Sequence, residues 1–387
     1  MNNWMVSPVV LVKTSPKCNF VVIIDAVLFG GIMLYRGQKV FLTGHSGFKG
    51  SWMCVLLNAL GADVTGFALE PEGENNLFKL ARVNAITKSY INDIRNLEAL
   101  SSAMEESKPE IVIHMAAQPL VRESYAKPVE TYSTNVMGTV NLLESVRRCG
   151  SVRAVVNVTS DKCYENKELE RGYREDDALG GFDPYSNSKA CSELVTSSYR
   201  SAFLREGGIA VATARSGNVI GGGDWAKDRL IPDCIRALMA GTSIVIRSRG
   251  AERPWQHVLE PLWGYILLAD NLYKYGEDFA QGWNFGPDSG DNKNVEYIVK
   301  TVCKYWGNDD CYEIRKDCNA PHETGHLRLD NSKVKQRLDW RPQWSLDDAI
   351  AKTVEWYLTY KNGENVRTVM DRQIKRYLDG VTKVALK

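Results

Sequence analysis

The chain has 387 residues, with 48 Lys and Arg against 47 Asp and Glu. That length suits two lobes, or a large α/β domain with an appended lobe, rather than one core of usual size. A net charge of +1 with no long run of one sign argues against a nucleic-acid or membrane-surface partner.

The first distinctive stretch, FVVIIDAVLFGGIML at 20–34, is apolar but short and carries Asp25 near its centre, which suits no membrane span. No basic stretch and small-residue cleavage site surround it as a signal peptide requires. Residues 1–36 are therefore expected to lie outside the fold.

KVFLTGHSGFKG at 39–50 follows, a short apolar strand running into Gly44, Gly47 and Gly50. Glycine is needed three times in a phosphate-cradling turn: for the turn itself, for close approach of a pyrophosphate, and for packing of the next helix on the sheet. The helix reads SWMCVLLNALGA, with Met53, Leu56, Leu57 and Leu60 on one face and Gly61 as its stop. A second strand, ADVTGFAL, ends at Glu70, twenty residues beyond Gly50, where a carboxylate takes adenosine ribose hydroxyls and repels a 2′-phosphate. Residues 37–70 thus read as a dinucleotide-binding βαβ unit, with NAD favoured over NADP.

Tyr90 to Ile94 give a third strand, with Asp93 and Ile94 placed either to bracket an adenine or, for Asp93, to cap the helix RNLEALSSAMEES. EIVIHMAA at 110–117 has the unbroken apolar character of a parallel strand buried on both faces, with His114 as a core residue. A helix from about Pro128 to Cys149 carries Asn135, Gly138 and Asn141, polar groups that either solvate or tie it to a neighbour. RAVVNVTSDKCY at 153–164 is the next strand, and its end, where open α/β sheets put their chemistry, holds Ser160, Asp161 and Lys162.

FDPYSNSKACSELV then opens a helix, with Asp183 as cap, Pro184 in the first turn, and Tyr185 and Lys189 one turn apart on one face. A tyrosine acting as a base near neutral pH must have its pKa lowered by about three units, which a lysine one turn away helps supply. A further strand, 209–216, exits through Asn218 and three consecutive glycines into looser, mixed segments. The fold expected is a Rossmann-type doubly wound α/β sheet with a smaller interleaved α/β C-terminal lobe. Residues 37–217, with 257–285 returning to them, form the NAD-binding domain, and 218–256 with 286–387 the substrate lobe.

Nine scattered cysteines without a CxxC pair suit thiols kept reduced in a cytoplasm. Cys311, Cys318, His322 and His326 lie close in sequence, but their spacing matches no common zinc site, and no metal is expected.

The motifs TGHSGFKGSW, HMAAQPLVRESY, NVTSDKCYEN, GGFDPYSNSKACSEL, ARSGNVIGGGDWAKDRLIPD, RPWQHVLEPLWGY and LRLDNSK together resemble the extended short-chain dehydrogenase/reductase family, and within it the nucleotide-sugar 4,6-dehydratases. SDKCY, GGGDWAKDR and RPWQHVLEP are similar to the branch acting on CDP-glucose. The resemblance implies a hydro-lyase using NAD on a CDP-glucose substrate in the dideoxyhexose and O-antigen sugar pathway. It implies a cytoplasmic homodimer, joined through the Tyr185 helix and the helix before it. Gly44, His45, Gly47, Phe48, Lys49, Gly50, Glu70, Asp93, Ile94 and Ala116 would line the cofactor, together with Tyr185 and Lys189. Ser160 would bond the C4 hydroxyl, Tyr185 would remove its proton, and Asp161 and Lys162 would serve the elimination. Asn218 and Arg253 would meet the diphosphate, with Gln118, Arg229 and His257 as further substrate contacts.

Two departures from the family pattern stand out. The residues after Ser160 are Asp161–Lys162, where many relatives carry Asp–Glu, and His45 and Lys49 bring charge into the phosphate turn, which weakens the preference for NAD. Rival readings are a nucleotide-sugar 4-epimerase, a dehydratase for a dTDP-, UDP- or GDP-sugar, and a non-catalytic nucleotide sensor. The intact Ser160, Tyr185 and Lys189 argue against the sensor, and Asp161–Lys162 against the epimerase.

Overall fold

The computed structural model describes residues 27–28, 31–32, 35–246, 252–309, 311–314 and 327–385. Six strands of the main sheet come first: β1 (Lys39–Thr43), β2 (Asp63–Ala68), β3 (Lys88–Ile91), β4 (Ile111–His114), β5 (Ala154–Val158) and β6 (Ala210–Ser216). Next, β7 (Asn218–Ile220) and β8 (Glu252–His257) pair in parallel outside the main sheet, and β9 (Gly282–Phe285) returns to it beside β6. The main sheet is parallel throughout, in the order β3-β2-β1-β4-β5-β6-β9. The direction of winding reverses between β1 and β4, and a crevice for a ligand opens at the strand ends there.

Both faces of this sheet are covered. On β1, Val40 and Leu42 join one core while Phe41 between them joins the other; on β5, Val156 and Val155 divide in the same way. Period-two side chains with both faces buried require the continuous apolar strands the sequence shows. The helices that cover the sheet and its appended lobe are α1 (Phe48–Ala59), α2 (Leu97–Ser107), α3 (Gly138–Arg148), α4 (Pro184–Tyr199), α5 (Leu230–Met239), α6 (Leu259–Tyr275), α7 (Val295–Trp306), α8 (Leu346–Lys361) and α9 (Val366–Ala385). Among the described residues no helix is long and apolar enough to cross a membrane.

Several expectations change. The excluded N-terminal region ends earlier than residue 36, because Tyr35 is fully buried and its hydroxyl donates to the Ile266 carbonyl at 2.7 Å. Most of 20–34 lies outside the described residues, apart from a two-rung hairpin pairing Val27–Leu28 with Gly31–Ile32. Asp93 does not cap α2; Asn96 does, accepting from the Ala99 amide, while Asp93 closes a turn onto the Arg95 amide. The helix expected from Pro128 runs unbroken to Arg148, with a π turn inside it at Ser133–Met137 from which Asn135 reaches the Gln118 carbonyl and Ser188 Oγ. Not all thiols are free, since Cys303 and Cys311 form a disulfide with 6.1 Å between Cα atoms. The left-handed turn at Gly307 folds the chain back from the end of α7 and brings the two together. Cys318, His322 and His326 lie outside the described residues.

Candidate active site

The phosphate turn is tight for identifiable reasons. Gly44 has φ +75°, and a Cβ there would sit 2.7 Å from the Ala116 amide nitrogen, so the turns after β1 and β4 touch without room for a side chain. A Cβ on Gly50 would lie 2.1 Å from the Gly44 carbonyl oxygen, so the first turn of α1 can pass this close to the turn after β1 only on glycine. Helix α1 begins at Gly47 with no side-chain cap, and the amides of its first turn are left for a ligand. A cradle with crowded walls, an uncapped helix start and no side chain at Gly47 fits a dinucleotide pyrophosphate.

The two charged residues of this turn do not serve as expected. His45 is fully buried and turns back over Gly66 of β2, its Nε2 lying 3.0 Å from Ser89 Oγ on β3. Burial pulls its pKa down to about 4, so it adds no positive charge to the cradle at neutral pH. Lys49 reaches across the crevice to Tyr265 OH at 3.2 Å and Ser216 Oγ at 3.4 Å. Burial first, then Lys189 and Arg229, pull it down to about 7 against the opposing pull of Asp161. Tyr265 and Ser216 are site residues that the sequence reading missed.

At the end of β5 the backbone turns through Ser160, whose side chain accepts from the Lys162 amide and so caps the short 3-10 turn Asp161–Cys163. Ser160 Oγ donates to Asp161 Oδ1 at 3.0 Å. Lys162 Nζ stands 3.5 Å from the same oxygen with its side chain 30 % exposed, whereas Asp161 is 1 % exposed. Asp161 Oδ2 is buried without a partner, and a Cβ on Gly217 would approach it to 3.2 Å.

Facing this turn is α4, started by Asp183, which accepts from the Ser186 amide, and by Pro184, as the sequence predicts. Tyr185 and Lys189 are nearly buried. Lys189 Nζ donates to the Val158 carbonyl at 3.2 Å, and burial draws its pKa to about 8 against the pull of Glu193. Burial raises the Tyr185 phenol, while Lys162, a hydrogen bond with Ser160 and Arg229 act to lower it. The structure thus brings Ser160, Asp161, Lys162, Tyr185 and Lys189 into one crevice.

The outlying candidates divide. Arg229 binds Asp224 at 2.9 Å and stands near enough to influence both Lys49 and Tyr185. Asn218 and Arg253 lie partly exposed on β7 and β8. Glu70 is exposed just beyond β2. Ile94 is a core residue, packed where a Cβ on Gly138 would meet it at 2.9 Å. Gln118 is committed to the loop it sits in, donating to the Leu120 carbonyl and Thr131 Oγ1 and accepting from the Leu120 amide. His257 has no exposure and is packed edge-on between Trp52 and Trp344, so it is a core group and not a substrate contact. Pro254, which would meet a Cβ on Gly217 at 2.6 Å, also borders a cleft of about 490 Å³ lined further by Gly172, Arg328, Asp330 and Lys335. That cleft adjoins the reaction centre and was not anticipated from the sequence.

The profile of the family described as GDP-mannose 4,6 dehydratase matches residues 41–353. The chain is 49 % identical over 354 residues to CDP-glucose 4,6-dehydratase of Salmonella typhimurium, covering 90 % of this chain and 98 % of that protein. It is 27 % identical over 369 residues to dTDP-glucose 4,6-dehydratase of Xanthomonas campestris, covering 88 % and 98 %. Among solved structures, dTDP-glucose 4,6-dehydratase of Streptomyces venezuelae with NAD bound superposes with a TM-score of 0.71 at 26 % identity, covering 85 % of this chain and 100 % of that one. UDP-glucose 4-epimerase of Thermotoga maritima gives 0.72 at 22 % identity over 84 % and 99 %, a likeness of fold.

Proposed function

The chain belongs to the GDP-mannose 4,6-dehydratase family, and from that premise we propose that it converts CDP-glucose to CDP-4-dehydro-6-deoxyglucose and water. The observation that carries this reading is the sequence Ser160–Asp161–Lys162 at the end of β5, facing Tyr185 and Lys189 on α4. An epimerase of the same fold needs the tyrosine and lysine but no group to expel water. The dTDP-glucose dehydratases are more distant relatives, at 27 % identity against 49 % for the CDP-glucose enzyme.

NAD, when bound, accepts the hydride from C4 of the sugar and returns it at C6. Gly44, Gly47 and Gly50 at the uncapped start of α1 would hold its pyrophosphate, Glu70 its adenosine ribose and Lys189 its nicotinamide ribose. Ser160 holds the C4 hydroxyl and Tyr185 removes its proton. The C4 ketone then acidifies the C5 proton, which Lys162 takes while Asp161 gives a proton to the departing C6 hydroxyl, and Lys162 returns the proton to C5 as C6 is reduced. The unpartnered, buried Asp161 Oδ2 supports its place against substrate. Arg229, Asn218 and Arg253 bind the nucleotide diphosphate, the last beside the cleft at Pro254.

In this reading residues 37–217 with 257–285 hold the cofactor, and 218–256 with 286–387 hold the nucleotide sugar. The enzyme is cytoplasmic, serves O-antigen sugar synthesis, and acts as a homodimer through α4 and the helical stretch before it, residues 128–148. Exposed Val129, Met137 and Leu194 on these neighbouring helical stretches support that interface. The test is incubation of the purified protein with NAD and each of CDP-, dTDP-, UDP- and GDP-sugars, followed by the alkali-induced absorbance of a 4-keto sugar. Product from CDP-glucose in preference to the others is expected; no keto product from any of them removes the proposal.

A further inference from the structure

Tyr185, Lys189 and Glu193 follow one another at intervals of four on α4, so all three lie on the face turned to the sheet. Glu193 is 5 % exposed, and both of its oxygens are engaged. Oε1 accepts from Thr159 Oγ1 at 2.5 Å and Arg215 Nε at 2.8 Å; Oε2 accepts from Thr213 Oγ1 at 2.6 Å and Arg215 Nη2 at 2.8 Å. Thr159 immediately precedes Ser160, and Thr213 and Arg215 lie on β6, which ends at Ser216 beside Lys49. One carboxylate therefore ties the helix carrying Tyr185 to the ends of the two strands that carry the rest of the site. Arg215 is held in turn by Tyr164 OH at 2.7 Å and the Glu175 carbonyl at 3.1 Å.

Stability alone is a weak explanation for such a pair, because a buried ion pair is often replaceable by apolar side chains at no loss. Its charge has a nearer use. Lys189 donates to the Val158 carbonyl, which carries no net charge. The titratable groups facing Lys189 are Glu193 on its own helix, Cys163 after β5, His114 on β4 and Lys49 on α1. Glu193 is the one carboxylate among them.

We propose that Glu193 is a positioning residue of the reaction, fixing α4 against β5 and β6 and acting as the countercharge that keeps Lys189 an ammonium beside Tyr185. This rests on the reading of Tyr185 as the base and Lys189 as its cationic neighbour. Burial draws Lys189 down to about 8 and Glu193 opposes it, so loss of the Glu193 charge makes Lys189 neutral at lower pH. Tyr185, which faces Lys162, Asp161, Ser160, Arg229 and Tyr265, then ionises only at higher pH. The direct effect of Glu193 on the phenol has the opposite sign. It acts from two turns away, about 12 Å along the axis, against about 6 Å for Lys189, so the path through Lys189 dominates.

The test is the pH dependence of single-turnover NADH formation from CDP-glucose by the Glu193→Gln enzyme. The ascending limb is expected to move up by about one pH unit, with a roughly tenfold loss at pH 7 recovered at higher pH. A merely structural clamp would lower the rate equally at every pH. Glu193→Asp keeps the charge, and its limb is expected at the wild-type position even where its rate is lower. Glu193→Gln strands the buried Arg215 charge; should it not fold, Glu193→Gln combined with Arg215→Gln removes both charges, and its limb is expected to move in the same direction by less, because loss of the guanidinium offsets part of the lost carboxylate. A limb unmoved in the variant that folds overturns the inference. Absence of NADH formation by the wild-type enzyme at any pH overturns instead the reading beneath it, and the inference with it.

Discussion

The ring of His45 lies against the backbone of Gly66, so closely that a Cβ built on Gly66 would stand 2.3 Å from two of its atoms. The phosphate turn is thereby wedged onto β2 by a side chain that fits only because its neighbour has none. Gly66→Ala is expected to push the His45 ring and the turn carrying it, weakening NAD binding by about tenfold or more, since displacements near 1 Å are felt strongly at such sites. An overpacking loss of about 1–3 kcal/mol in stability is expected alongside. Adding His45→Ala to Gly66→Ala should restore binding in large part. Fluorescence titration with NAD checks both; a single variant that binds like wild type shows that the wedge does not hold the turn.

Where the sequence is legible, the signal is local. The glycine spacing of 44, 47 and 50, the Asp183–Pro184 helix start and the Tyr185–Lys189 interval are each set by backbone geometry within one turn, and each takes the conformation the sequence predicts. Burial of polar groups is not local and was misjudged. His257 is expected among the substrate contacts, yet Trp52 and Trp344 come from about 200 and 90 residues away to enclose it. Lys49 looks like a charge for the pyrophosphate until Tyr265, 216 residues on, proves to be its partner. Gln118 and Ile94 were given ligand roles by their place in a motif, whereas their side chains serve a loop and the core.

A buried carboxylate away from the crevice should make stability depend on pH. Burial raises Glu260 to about 7, although Tyr377 OH and the amides of Gln343 and Trp344 donate to it. A carboxyl raised on folding contributes stability that is whole below its unfolded pKa near 4.3 and declines as pH rises through about 7. Thermal unfolding between pH 5 and 8 should therefore show a fall that Glu260→Gln lacks, worth on the order of 2–3 kcal/mol across the range. Parallel profiles for the two proteins would assign the pH dependence to other groups.

Cofactor choice is expected to follow Glu70, which is exposed just past β2. If its carboxylate accepts the ribose 2′-hydroxyl and repels a 2′-phosphate, Glu70→Ala should narrow the NAD-to-NADP ratio of kcat/KM by about tenfold or more. An unchanged ratio would move the discrimination to another residue.

The proposed homodimer should depend on an apolar surface shared by neighbouring helices. Val129 is 82 % exposed and Leu194 59 % exposed, and burying both in a second copy removes them from water. Val129→Glu with Leu194→Glu should give a folded monomer by sedimentation, since unpaired charges are costly in an apolar interface. A dimer that persists with unchanged affinity would place the interface elsewhere.

The elimination turns on how Asp161 and Lys162 divide the proton transfers. Lys162 Nζ lies 3.5 Å from Asp161 Oδ1 on a side chain 30 % exposed, so it has freedom to swing towards a bound sugar. Asp161 is held, with Ser160 Oγ donating to Oδ1 and Oδ2 left free in a buried position beside Gly217. A mobile amine suits removal of the C5 proton, and a fixed carboxyl suits donation to the C6 hydroxyl, whose position is set once C4 is seated at Ser160. In Lys162→Met the hydride step should persist, seen as NADH absorbance in a single turnover. Exchange of the C5 proton with solvent should fall by about 10²–10⁴-fold, the contribution of a positioned general base. Asp161→Asn should give the opposite pattern, with C5 exchange retained and water loss blocked. If C5 exchange continues at the wild-type rate without Lys162, the base is another group, and the salt link to Asp161 is the whole of its role.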